Sequence, residues 1–354
     1  MAYGTYSFMY GYPFTGVNLK QVKEFLRQNS LHYDDGIEFT VNLYDHESEI
    51  IATGSLEGNV IKCVAISREY QGEGLSATIL THLMTFAIQK KLNHLFLFTK
   101  PENKVLFSGM GFYPIVSTNE VVLMENVKNG LKNYLNYLSR PEGLTDIGAI
   151  VVNCNPFTNG HLYLIETAAN ACQWLHIFVL AEDKSDFKAK VRHQLVRDGV
   201  SHIKNVTVHS TSDYLISSAT FPSYFIKDQA NADKINCTLD LTMFRDYFAG
   251  ELGITKRFVG TEPLCPVTAK YNLQMKEFFK DTGVEIIEVP RVKLDGIEIS
   301  ASRVRNLMAD GDYEAIKSLV PPVTYSYIIS EEGRKLAETL KNKRLSSPGL
   351  NPGA

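Results

Sequence analysis

Two polar segments of this chain could together bind a phosphate group. The first follows an apolar run at 147–152 and extends from Asn155 through Thr158 and Gly160 to His161. A buried strand that ends at Asn-Pro and continues into a helix would direct free backbone amides toward one point, which suits an anion. Thr158 and His161 stand three residues apart at the start of that helix, so their side chains share one face. The spacing therefore predicts a phosphate site at this turn.

The second segment, Ile299–Arg305, carries hydroxyl groups and a guanidinium. Ser300 and Ser302 stand at the predicted start of a helix, and Arg305 can bind phosphate oxygens through two parallel N–H bonds. By itself, such a segment is more often an N-cap followed by a solvated arginine. A single histidine at a helix start is likewise often only a capping or surface residue. Their occurrence as a pair, in this order, favours a nucleotide site over these simpler interpretations.

The pair resembles the HxGH and ISSTxxR signatures of the nucleotidylyltransferase superfamily, whose members attack the α-phosphate of a nucleoside triphosphate and expel pyrophosphate. The resemblance implies that His161 hydrogen-bonds the α-phosphate in the transition state and that Thr158 contacts the same phosphate region. It also implies that Asn155 and Phe157 belong to the nucleotide-binding loop, and that Gly160 is small because the nucleotide packs against the backbone there. No Walker-type phosphate loop occurs in the sequence, which argues against a P-loop kinase.

By the same resemblance, Arg305 holds the β- and γ-phosphates, and Ser300 and Ser302 donate hydroxyl groups at the start of their helix. Ala301 stands where that signature usually has serine, so one hydroxyl contact of the superfamily is missing. Displacement at an α-phosphate needs little covalent help from a protein. It needs the triphosphate fixed in line with the nucleophile and the charge on the equatorial oxygens stabilised.

A different signal lies in the first half of the chain, where Gln71, Gly72 and Gly74 follow a strand-like run at 60–66 and precede an apolar-periodic helix at 77–91. The two glycines allow a tight turn and leave amides free to approach a diphosphate. The loop resembles the acyl-CoA loop of GNAT acetyltransferases, which implies that it contacts a pantetheine-bearing group. The simpler interpretation is a tight turn before a helix.

Two further observations bear on this loop. A dinucleotide fingerprint would need an acidic residue at the end of the next strand, but that strand ends in Thr99-Lys100, so we set a Rossmann interpretation aside. In GNAT acetyltransferases a tyrosine four residues before the glycine of the closing Gly-Phe turn commonly acts as general acid. The matching position before Gly111 is Phe107, and a phenyl ring cannot donate a proton. We therefore predict that this domain holds a pantetheine arm rather than acetylating amines.

Composition sets the broad class of the protein. A length of 354 residues suits two domains, and a net charge of −3 gives no electrostatic case for nucleic-acid binding. Five cysteines without a C-x-x-C pair argue against a disulfide framework. Neither a signal peptide nor a membrane span is visible, so we expect a cytoplasmic protein without membrane contacts. No cluster of metal ligands stands out.

Periodicity organises the chain into four parts. Residues 1–125 show short antiparallel strands followed by the glycine loop and its helix, which predicts a GNAT-like α+β domain. A helical linker at 126–145 ends in a Pro/Gly break. Strands and helices then alternate over 146–330, which predicts a Rossmann-like, doubly wound parallel sheet that binds ligands beyond the carboxyl ends of its strands. Residues 331–354 are predicted to form a C-terminal helix and a disordered tail.

Three other groups near the predicted ligand edge are less specific. Gly260, Thr261 and Glu262 leave a predicted strand at 256–260 and could contact ribose or base, but they also form a good turn. Lys184 and Arg192 could reach phosphate or could be solvated surface charges, and for Lys184 the solvated alternative is favoured.

The two halves together resemble the citrate lyase ligase family over about residues 15 to 330. The stretches that carry the resemblance are 153–161, 219–228, 259–263 and 299–305. One departure concerns the loop after the second strand of the later domain. The family usually has Phe-Pro-Tyr-Glu-Asp-Arg there, whereas this chain keeps only the terminal residues of that run, Phe187 and Arg192.

The family resemblance implies an acid–thiol ligase. Acetate would attack the α-phosphate of ATP to give acetyl-adenylate and pyrophosphate. The acetyl group would then pass to the thiol of a dephospho-CoA-derived prosthetic group on the citrate lyase acyl carrier subunit, with release of AMP. Mg²⁺ is implied by the triphosphate, and no tightly bound cofactor is expected. Two alternatives stay open: a simple nucleotidylyltransferase that acts on a phosphorylated cofactor precursor, and a non-catalytic module that binds a carrier protein.

Overall fold

A computed structural model describes residues 6–34, 36–139, 141–215, 232–263 and 266–346. The chain divides into two compact units. The first comprises Met1–Tyr134 with Phe221–Leu239, and the second comprises Leu135–Thr220 with Asp240–Ala354. The family-like stretch at 219–228 and the terminal residues 347–354 lie outside the described residues, so the expectations attached to them stay predictions, as do the domain boundaries.

The first unit is built on one mixed sheet, which among the described residues has seven strands in the order β1-β2-β3-β4-β5-β7-β6. Neighbouring strands are antiparallel except β4 and β5, which are parallel. The elements are β1 (Ser7–Gly11), α1 (Gly16–Gln28), β2 (Phe39–Tyr44), β3 (Ile50–Glu57), β4 (Val60–Ile66), α2 (Leu75–Gln89), β5 (Phe96–Thr99), α3 (Lys104–Ser108), β6 (Tyr113–Ser117), β7 (Val122–Glu125) and the connecting α4 (Gly130–Asn136). The apolar face of α2, including Ile79 and Leu83, packs into the core of this sheet.

The strands β4 and β5 separate after only two residue pairs, Val60 with Phe96 and Ile61 with Leu97. One extra residue enters β4 opposite β3 at this point, and Cys63 adopts a positive φ of 54°. A bulge of this kind bends its strand and weakens pairing beyond it. The divergence leaves main-chain groups of both strands open between them, and α2 starts above this gap.

The second unit contains a parallel sheet with the strand order β10-β9-β8-β11-β12 among the described residues. The elements from Leu135 onward are β8 (Ile147–Val152), α5 (Asn159–Asn170), β9 (Trp174–Val179), α6 (Ala189–Gly199), β10 (Val206–Ser210), α7 (Ala232–Met243), α8 (Gly250–Leu252), β11 (Ile254–Gly260), α9 (Pro266–Phe279), β12 (Glu285–Val289), the short pair β13 (Lys293–Leu294) and β14 (Ile297–Glu298), α10 (Ala301–Asp310), α11 (Tyr313–Lys317), α12 (Pro322–Ile329) and α13 (Glu331–Ser346). The residues of α7 up to Leu239 belong to the first unit, and α7 continues through a π-helical turn into α8.

The strand order of the second unit creates a switch point. From β8 the chain first moves to β9 and β10 on one side and then returns to β11 and β12 on the other. The loops that leave β8 and β11 therefore diverge, and such a crevice at the carboxyl ends of parallel strands is where doubly wound sheets bind ligands. The strand β8 is nearly fully buried, as expected for a parallel strand covered on both faces.

The predicted fold class is confirmed: an α+β unit of the GNAT type precedes a doubly wound parallel sheet. The predicted strand at 147–152 has the observed bounds. The sequence interpretation did not identify β1, α1 or β6, because the short exposed strands lack a clean alternation of apolar and polar residues. Within the described residues, none of the helices is both long and apolar enough to cross a membrane.

Candidate active site

The loop that leaves β8 is anchored in the core and delivers the first phosphate motif. Asn155 precedes a cis peptide bond to Pro156, and its side-chain oxygen accepts the main-chain N–H of Phe187 at 2.9 Å. The ring of Phe157 is fully buried, and a Cβ atom added at Gly199 would lie only 2.4 Å from it. The Phe157 side chain is therefore part of the core and packs against α6. Its place in the nucleotide-binding loop stays a prediction.

Thr158 and His161 form a reciprocal cap at the start of α5. The Thr158 hydroxyl accepts the main-chain N–H of His161 at 3.4 Å, and the main-chain N–H of Thr158 donates to Nδ1 of His161 at 3.1 Å. The Thr158 hydroxyl also lies 2.8 Å from the same nitrogen. Because Nδ1 accepts a main-chain hydrogen bond, the proton of the neutral ring belongs on Nε2. Thr158 is itself buried, so its side chain positions the imidazole.

The electrostatic environment keeps the His161 ring neutral. Burial disfavours the imidazolium, the positive charge of Arg291 adds to this effect, and together they lower the pKa of His161 to about 4. At neutral pH the ring is therefore a hydrogen-bond donor through Nε2 and carries no positive charge. This arrangement suits stabilisation of a developing negative charge on an oxygen.

The two motifs meet at Gly160. A Cβ atom added there would lie 3.3 Å from the carbonyl oxygen of Ile299 and 3.7 Å from the Ile299 Cβ. Ile299 immediately precedes the second motif, so the missing side chain lets the start of α5 approach the residues that enter α10. The main chain of Ile299 thus gives a packing reason for this glycine. The expected contact between Gly160 and the nucleotide stays a prediction.

The second motif starts α10 and directs Arg305 back toward the first. Ser300 is the N-cap, and its hydroxyl accepts the main-chain N–H of Arg303 at 3.1 Å. Arg305 donates from Nη1 to the carbonyl of Asn155 and from Nη2 to the hydroxyl of Ser302 at 3.2 Å. The guanidinium thus spans both motifs, as their pairing in the sequence predicted.

Arg305 also has an acidic partner that sequence reasoning did not identify. Its Nε lies 3.2 Å from Oδ2 of Asp186, and the other oxygen of that carboxylate lies 2.8 Å from Nζ of Lys343 in α13. Asp186 is in the loop between β9 and α6, and Lys343 is 157 residues away in sequence. No local signal could have paired these three residues. The Asp186 carboxylate therefore contacts the part of the Arg305 guanidinium that an anionic ligand would bind.

The loop after β11 holds a second arginine. Arg291 follows the end of β12, and its Nε donates to the carbonyl of Thr261 at 2.8 Å while Nη2 pairs with the carboxylate of Glu262. The main-chain N–H of Arg291 also donates to the hydroxyl of Thr261 at 3.2 Å. Gly260 accepts a hydrogen bond from the side chain of Asn272 at 3.0 Å. Of the predicted contact residues at 260–262, Thr261 and Glu262 therefore bind Arg291.

The glycine loop of the first unit borders a cavity of about 640 Å³. Gly72 and Gly74 adopt positive φ angles of 93° and 78°, and neither would meet another atom if it carried a Cβ. Gly74 directly precedes α2, whose first turn has no side-chain cap. The N–H of Ala77 donates to the carbonyl of Gly74 at 3.0 Å, and the amides before it can bind an anion. Gln71 lines the same cavity. Phe107 also borders the cavity and is buried. It stands at the position where GNAT acetyltransferases commonly have a tyrosine as general acid.

The cavity follows the gap between β4 and β5. Its walls include Ile61 and Ala65 from one strand and Phe98 from the other, and Asn29 from the end of α1 borders it as well. The opposed main chains of two separated strands can hydrogen-bond an extended amide-containing ligand in the manner of an added strand. This shape suits a narrow, flexible arm with an anionic end at the glycine loop.

Comparison with known proteins identifies the family of this chain. The family model described as citrate lyase ligase C-terminal domain matches residues 147–328. The citrate (pro-3S)-lyase ligase of Klebsiella pneumoniae is 44% identical over 315 residues, which cover 87% of this chain and 92% of that protein. The citrate (pro-3S)-lyase ligase of Escherichia coli strain K12 is 44% identical over 318 residues, covering 88% of this chain and 90% of that protein. The chain belongs to the citrate lyase ligase family.

Among solved structures, one similar chain is a bifunctional NMN adenylyltransferase/ADP ribose pyrophosphatase from Francisella tularensis. It is 15% identical, has a TM-score of 0.36, and covers 59% of this chain and 57% of its own. The family assignment rests on the sequence relatives, which match over most of both chains.

The loop between β9 and α6 is held by Arg192. This side chain is fully buried and donates to the carbonyl of Phe187 at 2.9 Å, to the carbonyl of Asn153 at 2.8 Å and to the carbonyl of Glu182. Neither earlier interpretation of Arg192, phosphate contact or solvated charge, is correct. It joins the loop after β9 to the loop after β8, while Lys184 is exposed as favoured.

Proposed function

We propose that this family member activates acetate with ATP and acetylates citrate lyase. In the first step a carboxylate oxygen of acetate attacks the α-phosphorus, the bond to the β-phosphate oxygen breaks, and acetyl-adenylate and pyrophosphate form. In the second step the thiol of a dephospho-CoA-derived group on the acyl carrier subunit attacks the acetyl carbonyl, and AMP leaves. Membership of the citrate lyase ligase family supports the overall activity.

The observation that carries the first step is the neutral, oriented imidazole of His161. Its Nδ1 is engaged by the main chain of Thr158, so Nε2 can donate to an α-phosphate oxygen as charge develops there. Acetate is already ionised at neutral pH and needs no general base. The site has to fix the two anions in line and stabilise charge, which is what oriented donors achieve.

Arg305 would hold the β- and γ-phosphates and retain pyrophosphate as it departs. Its guanidinium already binds the carboxylate of Asp186, and a triphosphate can replace that carboxylate with the same fork geometry. Ser302 contributes a hydroxyl beside it. Within the described residues, no group of three or more acidic, histidine or cysteine side chains is arranged to hold a metal, so we expect Mg²⁺ to enter as part of the MgATP substrate.

The cavity beside Gly72 and Gly74 would hold the pantetheine arm of the carrier. A diphosphate would bind the free amides at the start of α2, and the amides of the arm would pair with the separated strands. Phe107 fits this role, because AMP is the leaving group and no CoA thiolate has to be protonated. ATP, acetate and the acyl carrier subunit are thus the proposed partners.

Pyrophosphate exchange provides the test. Radiolabelled pyrophosphate should enter ATP only when acetate is present, and AMP should accumulate once thiol-form carrier protein is added. Exchange that requires a phosphomonoester in place of acetate would instead identify a simple nucleotidylyltransferase. Complete absence of turnover together with retained carrier binding would identify a binding module.

A further inference from the structure

Arg291 lies at the switch point but belongs to neither sequence motif. It follows the carboxyl end of β12, and its side chain is 27% exposed while the Glu262 carboxylate that it binds is only 8% exposed. Two of its nitrogens are engaged, by the carbonyl of Thr261 and by Glu262. Among the described residues, Nη1 has no hydrogen-bond partner. The guanidinium is therefore fixed on one side and open on the other.

A chain of contacts connects this guanidinium to His161. The carbonyl of Val292, the next residue after Arg291, accepts the main-chain N–H of Ile299 at 3.1 Å. The carbonyl of Ile299 in turn lies over Gly160, directly before His161. The charge of Arg291 also reaches the imidazole, since it contributes to the low pKa of His161. Both residues follow the carboxyl ends of strands of the parallel sheet, and the Arg291 charge acts on the His161 ring.

A cation in this region meets a specific chemical need. The proposed reaction brings a carboxylate against the α-phosphate of a polyanion, and the neutral His161 supplies a hydrogen bond but no charge. Arg305, which contacts Asp186 and the carbonyl of Asn155, is assigned to the β- and γ-phosphates and leaves the attacking carboxylate and the α-phosphate without a cation. A guanidinium offers paired donors that fit both carboxylate and phosphate oxygens.

We infer that Arg291 is a further catalytic residue, which binds an oxyanion beside His161 through its open edge while Thr261 and Glu262 hold it in place. The oxyanion is either an α-phosphate oxygen or the carboxylate of the acid substrate, and both use the same paired donors. This assignment rests on the proposed function. It gives the 260–262 turn the task of aiming an arginine rather than of contacting ribose or base.

An Arg291 with only a structural role would also bind Thr261 and Glu262, so the test needs a measured quantity other than stability. The variants are Arg291→Ala and Arg291→Lys, with Arg344→Ala as the matched control. Arg344 pairs with Asp310 at 2.9 Å on the surface of the same unit and lies outside the site. Its removal should leave acetate-dependent exchange unchanged.

Arg291→Ala should lower kcat/KM for acetate-dependent pyrophosphate exchange by about a hundredfold or more, the size seen when one oxyanion donor is removed. Arg291→Lys should recover part of this loss, because it restores the charge without the fork. AMP and acetate are the binding probes. Weaker AMP binding with an unchanged KM for acetate identifies the α-phosphate as the oxyanion, and a raised KM for acetate with unchanged AMP binding identifies the carboxylate. Unchanged exchange, or a loss that follows the unfolded fraction, would overturn the assignment.

A titration of the His161 ring by NMR separates this inference from the proposed function. Removal of the Arg291 charge should raise the pKa of His161, whether or not acetate is the substrate. If the wild type shows no acetate-dependent exchange, the proposed function fails, but AMP binding and the His161 titration still test Arg291. If both are unchanged in Arg291→Ala, the inference fails independently.

Discussion

The main-chain N–H of Thr158 donates to Nδ1 of His161 at 3.1 Å. This bond assigns the ring proton to Nε2, and burial keeps the ring neutral by lowering its pKa to about 4. The helix cap therefore does two things at once, because it starts α5 and sets the tautomer of the candidate catalytic side chain. An oriented neutral donor suits a reaction whose nucleophile is already an anion.

The first prediction concerns the pH dependence of adenylation. The pKa of His161 in the folded protein lies below the ordinary value, so the neutral ring persists until the pH falls toward about 4. We expect no acidic limb from His161 in acetate-dependent exchange between about pH 6 and about pH 8. Nitrogen-15 NMR of labelled histidine should show a protonated Nε2 and a bare Nδ1 at neutral pH. An imidazolium signal for His161 at about pH 6 would contradict the assignment.

The second prediction concerns the magnitude of the His161 contribution. His161→Ala should lower formation of acetyl-adenylate by about two orders of magnitude or more, since it removes an oriented donor from the developing charge. His202→Ala is a matched control. His202 is exposed and lies 3.1 Å from Glu166, which is in α5, the helix that also carries His161. Quenched-flow measurement of acetyl-adenylate compares the two. Equal activity of both variants would refute the role of His161.

The third prediction separates the two units by function. Gly74 has a φ of 78° at the start of α2, where a side chain is strained and would crowd the cavity mouth. Gly74→Glu should weaken carrier binding by at least about tenfold through strain and repulsion of a diphosphate, and leave adenylate formation nearly intact.

Gly58 provides the control for backbone strain. It has a φ of 53° and open space around it, but lies in the turn between β3 and β4 rather than beside the cavity. Gly58→Glu should therefore leave carrier affinity, measured by surface plasmon resonance, unchanged. If Gly74→Glu weakens adenylation and carrier binding equally, the proposed division of labour is wrong.

Local signals in the sequence were sufficient to predict part of the fold and part of the candidate site. Apolar runs and loop glycines predict β8 and the Gly72 and Gly74 turn, because each depends on neighbouring residues. The pairing of the two phosphate motifs came from the resemblance to superfamily signatures. Contacts between distant segments could not be predicted in the same way. The Asp186–Lys343 pair joins residues 157 apart in sequence, and the packing of Ile299 over Gly160 depends on how two loops meet. Arg291 was missed because its partners follow a different strand.

The fourth prediction concerns Arg192, which joins the loops after β8 and β9. Its guanidinium is buried and bonds three carbonyl groups. Lysine cannot reproduce this fork, so Arg192→Lys should destabilise the second unit by about 2 to 4 kcal/mol. Trp174, the single tryptophan, begins β9 of that unit, and its fluorescence reports unfolding by denaturant. Arg197→Ala on the exposed face of α6 should change stability by less than about 0.5 kcal/mol. A destabilisation no larger than this in Arg192→Lys would show that the fork is dispensable.

The last prediction concerns acid stability and arises from a buried histidine pair in the second unit. Nδ1 of His176 lies 2.9 Å from Nε2 of His209. Burial lowers the pKa of His176, and for His209 burial is reinforced by the charges that His176 and His193 would carry. The folded state therefore requires both rings to be neutral, while the unfolded chain binds protons near the ordinary histidine value. The contribution of the two neutral rings to the free energy of unfolding is complete above about pH 6.5 and is lost as the pH falls below that value.

These two rings should lower the free energy of unfolding by up to about 2.7 kcal/mol per pH unit in this acidic range, because the unfolded chain binds two extra protons at these positions. His161, whose pKa is also lowered by burial, adds to the acid sensitivity of the same unit. His209→Gln should reduce the total slope by about 1.4 kcal/mol per pH unit, because one titrating group is removed. His202→Ala should leave it unchanged, since that ring is exposed. Denaturant titrations followed by Trp174 fluorescence at several pH values measure the slope. A slope in His209→Gln equal to that of the wild type would mean that other groups control acid unfolding of this unit.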